Sequence, residues 1–183
     1  MESFHPKKTE ENTVDPSPHV LEKAFYRTNP AVYGLLTDRC VLSDDSLASS
    51  FRSVHYEFIE YPDDCICGSH GVYIAKEELI AELLAMRASG VAFDRVEVTL
   101  AEDLCKNSDC ATSVPPKYRW LRIYGRAGVD DLSIVDDELH GALVVSSRIL
   151  SAMLECGLNN SRYSPYNQDL HVSPTVASVT PVL

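Results

Sequence analysis

Gly71-Val72-Tyr73-Ile74-Ala75-Lys76-Glu77-Glu78-Leu79-Ile80-Ala81-Glu82-Leu83-Leu84-Ala85-Met86-Arg87-Ala88-Ser89-Gly90 is the most legible stretch of this chain of 183 residues. Val72 to Ile74 reads as a strand, and the spacing predicts a helix of about 15 residues over Ala75 to Ser89. Leu79, Ile80, Leu83, Leu84 and Met86 line one face of that helix. Lys76, Glu77, Glu78, Glu82 and Arg87 line the other. Gly90 is the expected stop, and Arg95-Val96-Glu97-Val98-Thr99-Leu100 alternates like a half-buried strand. The stretch is therefore a strand, helix, strand unit.

The same grammar returns downstream. Ala142 to Val145 predicts a strand, Ser146 is placed to cap a helix running to about Cys156, and Gly157 is the stop. Ile149, Leu150, Met153 and Leu154 form its inward face, and Ser161 to Tyr163 extends again. The second unit reads about one helical turn shorter than the first, which would leave the buried face intact. This suggests an internal duplication. Between the units, Tyr118 to Tyr124 is an aromatic strand, followed after Gly125 and Gly128 by a short strand from Leu132 to Val135; upstream, Val54 to Glu60 alternates.

The expected fold class is α+β: a single domain over residues 21–166, with a mixed or mostly antiparallel sheet covered by two helices. Residues 1–20 carry little apolar area and read as a flexible leader. Residues 167–183, rich in Ser, Thr, Pro and Val, read as a flexible tail.

Composition narrows function. The chain is 45% hydrophobic and 23% charged, as globular proteins are, and no apolar run approaches the roughly 20 residues that span a bilayer. With no secretory-type segment at its start, it reads as cytoplasmic. A net charge of −11, from 16 basic and 27 acidic residues, repels phosphate backbones and attracts basic surfaces. The reading is no nucleic acid and no membrane. Lys117, Tyr118, Arg119, Trp120 and Arg122 interleave as a strand-binding platform would, but an amphipathic strand beside a core needs the same pattern.

Cys65-Ile66-Cys67 and the later pair Cys105 and Cys110 offer four thiols, the ligand type zinc prefers, although their spacings are tighter and looser than those of structural zinc sites. A cysteine nucleophile would need a base such as His55, His70 or His140 brought close in space. No nucleophile elbow, zinc-protease motif or phosphate loop is present, so the chain does not read as an enzyme. Acidic doublets fall in expected loops. Asp130, Asp131, Asp136, Asp137 and Glu138 bracket one short strand and would make a focused patch for a basic partner. Trp120 and Tyr124 are the aromatic anchors if they are exposed.

Arg119-Trp120-Leu121-Arg122-Ile123, then Gly125-Arg126-Ala127-Gly128-Val129-Asp130-Asp131-Leu132, then Leu143-Val144-Val145-Ser146-Ser147-Arg148-Ile149-Leu150 with Gly157-Leu158, resembles the C-terminal half of immunity proteins from bacterial polymorphic toxin systems. One group of those proteins carries two Cys-x-x-Cys-Gly motifs. Cys65-Ile66-Cys67-Gly68 is similar to one of them shortened by a residue, while Cys105 and Cys110 lack the glycine. The resemblance implies a small cytoplasmic protein that binds and neutralises a cognate toxin by covering its functional surface. Two other readings stay open: a small zinc-stabilised regulatory or adaptor domain, and a cysteine-dependent enzyme or effector.

Overall fold

Two split strand-helix-strand units organise the molecule. The computed structural model describes residues 23–43, 51–107, 117–135 and 141–167, the side chains of 105–107 excepted. In chain order these form β1 (Phe25–Asn29), β2 (Gly34–Leu36), β3 (Val41–Leu42), β4 (Phe51–Phe58), β5 (Ile66–Ser69), β6 (Val72–Lys76), α1 (Glu77–Ala85) and β7 (Val91–Leu100). There follow α2 (Glu102–Asn107), β8 (Tyr118–Ile123), β9 (Leu132–Val135), β10 (Ala142–Ser146), α3 (Ser147–Glu155) and β11 (Arg162–Pro165). The architecture is mixed and sheet-dominated, with mostly antiparallel pairing. The expected leader and, apart from Asn167, the expected tail lie outside the described residues.

In the first unit α1 links β6 to β7, yet these two strands do not touch, because β8 runs antiparallel between them in the order β7-β8-β6-β5. In the second unit α3 links β10 to β11, and β1 runs antiparallel between those, in the order β11-β1-β10-β9. The topology is thus repeated, with one exchange: the inserted strand follows its unit in the first case and comes from the far end of the chain in the second. The strands at Tyr118 and Leu132, successive in the chain, lie in different sheets as β8 and β9.

The expected difference of one turn is corrected. Both helices are nine residues long, and a constant spacing of 70 positions aligns His70-Gly71 with His140-Gly141, Leu79 with Ile149, Ile80 with Leu150 and Leu83 with Met153. Gly71 and Gly141 share a left-handed backbone, φ 76° and 78°. With His70 at φ 49°, Gly71 forms a two-residue turn of the primed type whose twist suits the β5–β6 hairpin. Leu84 and Leu154 occupy equivalent positions and are both exposed, against the inward placement the periodicity suggested.

The helix stops explain the length error. Around α1 the Arg87 N–H bonds the Leu84 carbonyl and the Ala88 N–H bonds the Leu83 carbonyl, closing the helix with Arg87 itself left-handed at φ 51°. Gly90 lies three residues further on and has a different task. A Cβ there would meet the Leu132 carbonyl oxygen at 2.3 Å and the Gly125 Cα at 2.8 Å, so two chain segments cross at backbone contact. Gly157 at φ 95° does end α3, and a Cβ there would meet nothing closer than the Asn159 side chain at 3.6 Å.

The first unit is continued by β4, which pairs in parallel with β7, and by β2 and β3, which pair with β4. The edge strands β2 and β5 come back into contact, so this sheet curls almost into a barrel. Strand alternation sorts the side chains. Tyr56, Phe58, Ile74 and Tyr118 point inward with Cys67, and Val54, Val72 and Trp120 fill the other end. Tyr73, Ala75, Leu121 and Ile123 point outward, into a second core shared with Leu79, Ile80 and Leu83 of α1, Ile149, Leu150 and Met153 of α3, and Leu143 and Val145 of β10. Each fully buried side chain of this kind contributes about 1.5–3 kcal/mol. The third helix, α2, escaped the sequence reading because six residues carry too little periodicity to read.

Candidate functional site

The loop between β8 and β9 holds the exposed aromatic of the sequence prediction. Tyr124 leaves the sheet with its ring 74% exposed, its N–H bonded to the Gly90 carbonyl at 2.9 Å. The Gly125 N–H shares that carbonyl at 3.0 Å. Beyond it, the Arg126 N–H donates to Asp130 Oδ2 at 2.8 Å, and the Val129 and Asp130 N–H groups bond the Arg126 carbonyl. Lys23 Nζ donates to the Val129 carbonyl at 3.2 Å. Tyr124 and Val129, the latter 47% exposed, therefore stand on a backbone braced at both ends. Trp120 takes the other outcome: it is 3% exposed inside the barrel, with the Arg122 guanidinium 5.1 Å from its ring centre.

Asp131 corrects the acidic-patch expectation. It is 1% exposed and saturated from within: Arg148 Nε and Ser146 Oγ donate to Oδ1 at 2.9 and 2.8 Å, Lys23 Nζ lies 2.9 Å from the same oxygen, and the Ser89 N–H donates to Oδ2 at 3.0 Å. Arg148 also reaches Oδ2 with its second nitrogen. Burial alone would raise this carboxyl, but the Arg148 guanidinium, with Ser89, Lys23 and Ser146, outweighs it and holds the group well below the usual carboxylate range. No partner can use it. Asp130 remains at the surface, half-buried, while Asp136, Asp137 and Glu138 lie outside the described residues. Ser146 was expected to cap α3; its hydroxyl turns to Asp131 instead.

A second buried carboxylate mirrors the first. Asp64, 0% exposed, accepts from the Asn159 and Asn160 N–H groups at 2.8 and 2.9 Å and from Ser161 Oγ at 2.6 Å. The residue before β9 thus clamps the segment leaving α1, and a residue before β5 clamps the segment leaving α3. Backbone bonds repeat the relation: Leu132 N–H to the Ser89 carbonyl, and Cys65 N–H to the Gly157 carbonyl. Asp64 and Asp131 are each the second member of an acidic doublet, Asp63-Asp64 and Asp130-Asp131. Their different neighbours along the chain gave no sign that one member of each is buried.

Two of the four candidate zinc cysteines are fully described. Cys65 and Cys67 are buried at 1% and 0%, in the two different cores, rather than in an open loop. Desolvation pushes both thiols up to about 12. Cys65 Sγ donates to the Met153 carbonyl at 3.3 Å. Cys105 lies in α2 and Cys110 outside the described residues, and among the described residues no three His, Cys, Asp or Glu side chains are grouped to hold a metal.

His55 is not a base for Cys67 either, since it projects from the outer face of the barrel wall that Cys67 faces from inside. Its Nε2 lies 3.1 Å from Arg39 and 3.2 Å from Thr99 Oγ1, and its Nδ1 lies 2.6 Å from Thr37 Oγ1. A guanidinium only donates, so Nε2 is the accepting nitrogen and Nδ1 carries the proton toward Thr37. Arg39 in turn pairs with Glu97. The buried imidazole is satisfied by this group, which ties β4 to β7.

No protein-family model matches the chain, and no curated protein matches it significantly. Among the described residues, no helix is long and apolar enough to cross a membrane.

Proposed function

We propose that the chain is an immunity-type inhibitor that acts in the cytoplasm, binding a cognate toxin with a basic surface and covering that toxin's functional face. The observation that carries this reading is Tyr124: a tyrosine 74% exposed on a loop whose backbone is already fixed. Tyrosine is among the residues that dominate binding energy at protein interfaces, and a preorganised loop loses little entropy on docking. Val129 extends the apolar contact. The net charge of −11 supplies the steering toward a basic partner, raising the association rate more than the affinity. The resemblance of Tyr118–Tyr166 to immunity proteins points the same way, and this loop falls inside it.

The test is a pull-down with the tagged full chain, followed by expression of the captured protein alone and beside it. A near-stoichiometric partner that is toxic alone and harmless in company supports the reading. A partner whose toxicity is unaffected, or no partner at all, removes it.

A further inference from the structure

At the place where β7 and β8 stop pairing, a cleft opens in the outer wall of the barrel. The last paired residues are Arg95 and Arg119, directly opposite each other in the register, so both side chains leave the same face of the sheet a few ångströms apart, roughly 5 Å at Cβ. Lys117, one residue before β8, adds a third cation. The cavity has a volume of about 410 Å³, within the range of small-molecule sites. Val96, Val98 and Tyr118 complete its lining at the gap where the strands diverge, although their side chains belong to the inner face and Tyr118 is only 7% exposed.

The electrostatics of this cleft run against those of the whole chain. Glu77, at the start of α1, is its one acid and pairs with Arg119 at 3.2 Å, both partners being more than 40% exposed. A pair so open to water holds weakly and can rearrange around a ligand. Among the described residues, neither Arg95 nor Lys117 has an acidic side-chain partner. Three cations against one carboxylate leave a local surplus of two positive charges, in a protein whose net charge is −11. The distant acids are screened over roughly 8 Å at physiological salt, whereas a ligand seated between the guanidinium groups is not.

We propose that this cleft binds a small phosphomonoester bearing a ring. The dianionic phosphate matches the surplus charge, and two arginines plus a lysine are the groups that grip phosphate, the guanidinium in bidentate fashion. A carboxylate, with one charge, would leave the site half neutralised. The ring enters the gap between the diverging strands that Val96, Val98 and Tyr118 line, and Glu77 faces the hydroxyl or amino groups of the ligand. The site is independent of the Tyr124 loop, so the molecule would respond to a metabolite on one face and bind protein with another.

Calorimetric titration of the full chain tests this with three probes: adenosine monophosphate, inorganic phosphate and triglutamate. The expected result is that adenosine monophosphate binds at least ten-fold more tightly than inorganic phosphate. Arg95→Gln combined with Lys117→Gln should weaken it ten-fold or more without moving the melting temperature, since both residues are exposed. Binding that survives those substitutions overturns the proposal, as does a preference for triglutamate or the absence of heat with all three probes at millimolar concentration. Glu77→Gln provides a second reading: it should tighten inorganic phosphate several-fold, and no change would place the anion outside this cleft.

Discussion

The two split units solve one packing problem with different chemistry. Each must hold the chain where it leaves a nine-residue helix, and each does so with a buried carboxylate contributed by the other unit. Asp131 is met by Arg148 and Lys23 as well as by Ser89 and Ser146, whereas Asp64 is met by two backbone N–H groups and a serine. The helix ends differ in the same spirit. The first is closed by a left-handed arginine and followed by a glycine at a backbone crossing; the second is closed by a left-handed glycine with room for a side chain. Topology constrains where a clamp is needed. Which donors supply it is free to diverge.

Breaking the clamps has the largest expected effect. Asp131→Ala should lower the unfolding free energy by about 3 kcal/mol, because two serine donors and two cations lose their acceptor, and Asp64→Ala by about 2 kcal/mol, both read from urea unfolding curves. Equal losses for both together with either one alone would mean the two clamps hold one cooperative contact. The pH dependence separates them further. Asp131 is depressed in the folded protein, so its contribution is present above the unfolded carboxylate value of about 3.9 and is lost as the pH falls below it. Asp131→Ala should therefore flatten the fall in stability between about pH 4 and pH 2, and an unchanged slope would show that other carboxylates govern acid unfolding.

The glycines come next. Gly90→Ala should cost about 2–3 kcal/mol, since a methyl there meets backbone that cannot step aside, while Gly157→Ala should cost about 1 kcal/mol for the left-handed backbone alone. Thermal melts of the two variants check the order, and similar shifts would contradict the crossing at Gly125. The smallest effect has the opposite sign. Arg87→Gly should stabilise the chain by roughly 0.5–1 kcal/mol, giving α1 the same stop as α3.

Local grammar was legible; pairing was not. The strands at Val72 and Ala142, the helix faces apart from Leu84 and Leu154, and the stop at Gly157 followed from periodicity and glycine placement. The strand at Tyr118 was legible too, but its insertion between β6 and β7 was not, and β1 was missed altogether, because such placements depend on pairing, at separations of more than a hundred residues in the case of β1. Gly90 looked like a helix stop because a glycine after an apolar period usually is one. The close approach that actually requires it involves Leu132 and Gly125, which no local window contains. The alignment of His70-Gly71 with His140-Gly141 was available in the sequence and would have corrected the helix length. At the candidate site, Tyr124 was readable as an aromatic anchor, but the burial of Asp131 was not, since an acidic doublet in a loop carries no mark of which member turns inward. The cationic cleft was visible only as interleaved basic residues, until the strand register put Arg95 beside Arg119.

The presented loop is the centre of the functional account, and the most direct measurement is the binding kinetics of the captured toxin on immobilised wild-type chain and on Tyr124→Ala. The substitution should change stability by less than about 0.5 kcal/mol, as the ring is exposed. The account predicts dissociation at least ten-fold faster with an association rate that is nearly unchanged and falls with salt in both proteins. Dissociation identical in the two proteins would contradict it and place the interface elsewhere.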